Sequence, residues 1–87
     1  MDELVVKLKA LADEKRLKIL KVLLKKDYCV KALARELELS ESAVSQHLKK
    51  LREAGLVVGE KKGYWVHYVV QVDKVTELAE RLIELTD

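Results

Sequence analysis

Ser42, Ser45, Gln46 and Lys49 stand at i, i+3, i+4 and i+7, the spacing that brings side chains onto one side of a helix. Ser42, Gln46, Lys49 and Glu53 mark that side, with Ser45 and Lys50 flanking it. Small hydroxyls, an amide and lysines can reach base edges and phosphates in a DNA major groove. The same face also fits an ordinary solvated helix, so the elements on either side decide between the two readings.

Those elements begin with the helix itself. Val44, Leu48 and Leu51 form its apolar stripe, the period of a helix packed on a core. Ser40 has the side chain of an N-cap, and Gly55 is placed to end the helix in a left-handed turn. Before it, a short helix from Val30 to Glu38 turns Val30, Leu33, Ala34 and Leu37 inward and Lys31 and Arg35 outward. Leu39 and Ser40 alone separate the two, so residues 30–54 read as a helix–turn–helix.

After Gly55 the apolar period shortens to two. Leu56 to Lys61 and Tyr64 to Val70 are β-branched and aromatic runs on either side of Lys62-Gly63. They predict a hairpin over 56–70 with Lys61 and Lys62 at its tip. Lysines there keep an edge soluble. Beside a helix–turn–helix they also suit the wing of a winged helix, laid along a phosphate backbone.

The rest of the chain predicts three further helices. Leu4, Val5, Leu8, Leu11 and Ala12 give the first, within residues 1–12. Asp13 caps a second, Glu14 to Lys25, with Leu17, Ile19, Leu20, Leu23 and Leu24 inward. Asp73 caps the last, within 73–87, whose apolar face is Val75, Leu78, Ala79, Leu82, Ile83 and Leu85. The two terminal helices carry more apolar surface than a core of this size needs. They are expected to pair with a second copy through Leu4, Val5, Leu8, Val75, Leu78 and Leu82.

Composition agrees with one small domain over residues 1–87, mainly α with a small β-hairpin, and formal net charge +2. The charge is uneven. From Ser42 to His67 five cations face two acids, a net +3, and from Asp73 to Asp87 two cations face five acids, a net −3. The first region suits phosphates and the tail does not. No apolar run approaches the roughly 18 residues of a membrane span, and no signal segment opens the chain, so a cytoplasmic protein with no membrane partner is expected.

With these segments in hand, the chain resembles the arsenic-repressor (ArsR/SmtB) family of winged-helix regulators. The resemblance rests on LADEKRLKIL (Leu11 to Leu20), LSESAVSQHLKKLREAGLV (Leu39 to Val57) and GYWVHYVV (Gly63 to Val70). It implies an α-α-α-α-β-β-α homodimer joined through its terminal helices, bound to a partly palindromic operator on double-stranded DNA and repressing by blocking a promoter. It also implies two metal-sensing sites to check. Where one family site has Cys-Val-Cys, this chain has Cys29-Val30-Lys31, and the helix after Asp73 contains no histidine to supply the other. No metal site and no cofactor are therefore expected.

The remaining reactive residues have plain alternatives. Cys29 is either a thiol switch, with its pKa lowered near a helix start and Lys31, or a small half-buried apolar group. His47 lies at the edge of the apolar stripe, and His67 alternates with Trp65 and Val69 on one ribbon face. Arg16 either pairs with an acid or clamps a phosphate. No phosphate-cradling Gly loop, nucleophile–base motif or paired carboxylates appear, so no enzyme is expected.

The expected DNA contacts are thus Ser42, Ser45, Gln46 and Lys49 at bases and nearby phosphates. Lys31, Arg35, Lys50, Lys61 and Lys62 would supply sequence-independent attraction. A winged-helix protein–protein module is the alternative from another class, and a thiol-responsive regulator acting through Cys29 is a narrower one.

Overall fold

The computed structural model describes residues 2–87 and runs α1 (Asp2–Leu11), α2 (Glu14–Leu23), β1 (Tyr28–Cys29), α3 (Val30–Leu37), α4 (Glu41–Glu53), β2 (Val57–Lys62), β3 (Trp65–Val70) and α5 (Val72–Glu84). Local chemistry sets most of these boundaries. Asp13 is extended and its Oδ1 accepts from the amides of Lys15 and Arg16 at 2.9 and 3.1 Å, so α2 starts at Glu14. The Ser40 hydroxyl accepts from the Ala43 amide at 3.0 Å and starts α4. Asp73, expected as the cap of the last helix, instead lies in its first turn, while Gln71 occupies the cap without a side-chain bond. A carboxylate in the first turn still favours the positive end of the helix.

Both helices of the helix–turn–helix end in the left-handed region. At the end of α4, Gly55 has φ +76°, with its amide donating to Arg52 O and that of Leu56 to Leu51 O. At the end of α3 the same role falls to Glu38, at φ 55°, so the turn is Glu38-Leu39-Ser40, one residue longer than expected.

The sheet departs from the sequence expectation. Three antiparallel strands lie in the order β1-β3-β2, and β1 was not foreseen. Tyr28 pairs with Tyr68 and Cys29 with His67, while β2 pairs with β3 from Val57–Val70 to Lys62–Trp65. The turn is therefore Gly63-Tyr64, and Lys62 ends a strand.

The core lies under α4. Val44, Leu48 and Leu51 are almost fully buried against Ile19, Leu33, Leu56 and Val57. Each such side chain contributes roughly 1.5–3 kcal/mol by burial, enough to fix which side of α4 faces out. In α2 the inward side is Ile19, Leu20 and Leu23, with Arg16 half-buried, whereas Leu17 and Leu24 are exposed. Two residues seven apart share a face, and here that face is turned away from the core.

α1 also packs on α5 within the chain, with Leu4 and Leu78 lining the crevice between them. Those two are 3% and 5% exposed in the single chain, so they serve its own packing and leave the set expected to meet a second copy. Val5, Leu8 and Leu82 remain exposed, and Val75 packs at the edge of the core.

Candidate nucleic-acid interface

The outer side of α4 is open. Ser42, Ser45, Gln46, Lys49 and Lys50 are all exposed, backed by the buried stripe of the same helix. Lys31 and Arg35 are exposed on α3, which packs directly against α4. Among the described residues none of Lys31, Arg35, Lys49, Lys50 and Lys61 is engaged in an ion pair. Free cations beside small polar side chains can bind a phosphate backbone while the amide and hydroxyls meet bases.

The ribbon differs from its expected form. Alternation puts Lys61 on the same face as Val57, Gly59 and Val66, and Lys62 on the opposite face with Glu60, Trp65 and His67. The two lysines therefore do not act as one tip. Lys62 is not free either, because its Nζ lies 2.8 Å from Asp27 Oδ2. His67 Nδ1 lies 2.8 Å from that same oxygen. The hydrogen bond from Lys62, then that from His67, lowers the Asp27 carboxyl to about 2. Facing an ionised carboxylate, Nδ1 carries the proton and donates. The Lys62 ammonium is correspondingly raised by Asp27.

Sequence reading missed two features here. Tyr64 is fully exposed at the turn, and Trp65 beside it is 54% exposed, so the apex of the ribbon is aromatic as well as basic. The signal was an aromatic pair directly after Gly63. Asp27 offered no local signal, because both of its partners lie far along the chain.

The other singled-out residues settle more quietly. Arg16 Nη2 lies 3.8 Å from Asp13 Oδ2, and the Arg16 Nε is buried with no hydrogen-bond partner among the described residues. Arg16 lines an open groove with Lys9 and Lys50. The Arg16 amide foremost, with the nearby His47, holds Asp13 below the usual carboxylate range. Cys29 is a half-buried free thiol at the start of α3. Among the described residues no three His, Cys, Asp or Glu side chains come together as a metal site, and no helix is long and apolar enough to cross a membrane.

Comparison with known proteins places this geometry. The profile described as "Bacterial regulatory protein, arsR family" matches residues 13–58, which hold α2, the helix–turn–helix and the start of the ribbon. The chain belongs to the ArsR family. Transcriptional activator HlyU of Vibrio cholerae is 46% identical over 81 residues, covering 93% of the chain and 75% of HlyU. An ArsR-like transcriptional regulator from Rhodococcus sp. RHA1 superposes with TM-score 0.92 at 32% identity, covering 98% of this chain and 80% of that one. The homodimeric winged helix-turn-helix DNA-binding domain of Mb0332 from Mycobacterium bovis gives TM-score 0.83 at 27% identity, covering 98% and 80%. The fold is thus a winged helix–turn–helix, in a family of DNA-binding transcriptional regulators rather than enzymes. The chain spans between 48% and 75% of the length of three curated relatives.

Proposed function

We propose that this ArsR-family chain is a cytoplasmic homodimeric repressor that recognises a partly palindromic operator without the family's usual metal sites. The observation that carries the reading is the uncovered outer side of α4, held rigid by a buried stripe on its back. Ser42, Ser45, Gln46 and Lys49 meet bases and nearby phosphates, and Lys31, Arg35, Lys50 and Lys61 add attraction that is blind to sequence. Residues 30–54 read the major groove, and the ribbon over 56–70 lies along the backbone.

The exposed apolar side chains of the terminal segments, Val5 and Leu8 in 1–12 and Leu82, Ile83 and Leu85 in 73–87, support a dimer interface there. The likeness to Mb0332, a homodimeric domain, supports assembly as a dimer. Two-fold symmetry then sets two half-sites about one helical turn, or a multiple of it, apart.

The test is selection of bound sequences from a random duplex pool, followed by a salt series on the recovered duplex. An inverted repeat bound in preference to random duplex is the expected result. Binding without preference favours a protein–protein module instead. The HlyU likeness favours a second reading, activation, and a reporter placed behind the recovered operator separates it from repression by the direction of change. Oxidant that alters affinity in the native chain but not in Cys29→Ser would add a thiol switch.

A further inference from the structure

Every ion pair among the described residues other than those at Asp27 joins groups three or four positions apart. The two at Asp27 span 35 and 40 residues and end on one oxygen. They tie the loop between α2 and β1 to the ribbon. Their position along the ribbon matters. β1 supports β3 only at Tyr68 and His67, so from Val66 to the turn the ribbon is two-stranded, a form that is marginal without further support. Lys62 sits on the last rung before the turn, opposite Trp65, and its bond to Asp27 reaches this outer part.

We infer that Asp27 is the positioning residue of the wing, holding Lys62 and His67 on one carboxylate oxygen so that the ribbon's outer end meets the duplex at a fixed angle. Lys62 then works through this brace, and Lys61 is the wing's own link to phosphate. The inference rests on the DNA-binding reading above. The charges around the brace favour permanence. The carboxyl at about 2 stays ionised at any ordinary pH. Glu60, opposite His67 in the register, adds to the hold on Lys62.

Two measurements test it, the first without DNA. Trp65 is the single tryptophan of the chain and lies on the braced rung, so its time-resolved fluorescence anisotropy reports motion of the wing. Asp27→Asn and Lys62→Gln should each add fast local motion there, with far-UV circular dichroism unchanged. If Trp65 moves no more than in the native chain, the brace is refuted whether or not the chain binds DNA.

The second is binding of a labelled duplex, taken from the selected pool, across a salt series. Asp27→Asn and Lys62→Gln should each weaken binding by about 1.5- to 5-fold per protomer, the range of an exposed ion pair, with the salt slope unchanged. Lys61→Gln should instead flatten the slope by about 0.9 for each phosphate that the chain no longer neutralises. The exchange Asp27→Lys with Lys62→Asp should recover most of the affinity, although it places an acid on the wing. Tighter binding with a steeper slope in Asp27→Asn would show that Asp27 masks Lys62 from phosphate, and would overturn the proposal. So would a flattened slope in Lys62→Gln, or an exchange variant weaker than either single one. Failure of the native chain to prefer any duplex would count against the regulator reading and leave the Trp65 result to decide the brace.

Discussion

Gly55→Ala isolates the backbone requirement at the junction between α4 and the ribbon. Gly55 has φ +76°, and among the described residues a Cβ built there meets nothing within 4 Å. The cost therefore contains no steric clash and reduces to the left-handed conformation itself, about 1–2 kcal/mol for an L-residue. Loss of glycine's freedom in the unfolded chain returns about 0.4–1 kcal/mol. The net loss is then about 1 kcal/mol, or about 4–8 °C in Tm for a domain of this size. Thermal unfolding followed by far-UV circular dichroism measures it, at one fixed protein concentration because association shifts Tm. Gly55→Asn is the control at the same position, since Asn tolerates the left-handed region better, and it should lose less. Equal losses for Ala and Asn, or a drop below about 1 °C where 4–8 °C is expected, would refute the argument that φ alone demands glycine here.

Further outcomes follow from the same structure. Glu38 sits at φ 55° without a glycine's freedom, so Glu38→Gly should leave stability unchanged or raise it by up to about 1 kcal/mol, measured by urea unfolding. Asp27 titrates lower in the folded chain, at about 2, than the ordinary 3.8, so its contribution is fully present above about pH 4 and is lost as pH falls through about 2. The stability gap between native chain and Asp27→Asn should accordingly close as pH falls from 4 to 2 in a denaturation series. Leu82→Glu places a charge on an exposed apolar site of α5, and on the proposed dimer it should shift the sedimentation profile toward monomer; a profile matching that of the native chain would count against an interface at Leu82.

What the sequence disclosed was mostly local. Asp13, Ser40 and Gly55 act within three residues of themselves, so their roles could be read directly from their types and neighbours. The stripe Val44, Leu48, Leu51 was legible because one helix side is buried and its period is short. The open side of α4 followed from it. β1 escaped notice because two residues carry no alternation to detect, and its pairing with β3 lies far along the chain. Asp27 was invisible as a brace for the same reason, since Lys62 and His67 are 35 and 40 residues away.

The terminal helices show a different limit. Leu4 and Leu82 look alike in a periodic pattern, yet one is buried by its own chain and the other is 39% exposed. Periodicity tells which side of a helix is apolar, not whose surface covers it. The opposed directions of Lys61 and Lys62 were implicit in strand alternation, but required the turn to be placed at Gly63-Tyr64 and not one residue earlier.

If the exposed side of α4 reads bases as proposed, Gln46→Ala changes base preference at a single position. Affinities of the native chain and the variant are measured against a panel of duplexes differing by single base pairs within one half-site. Loss of discrimination at one position by about 1–3 kcal/mol, with ranking elsewhere and the salt slope preserved, is the predicted result. An unchanged ranking at every position would contradict it.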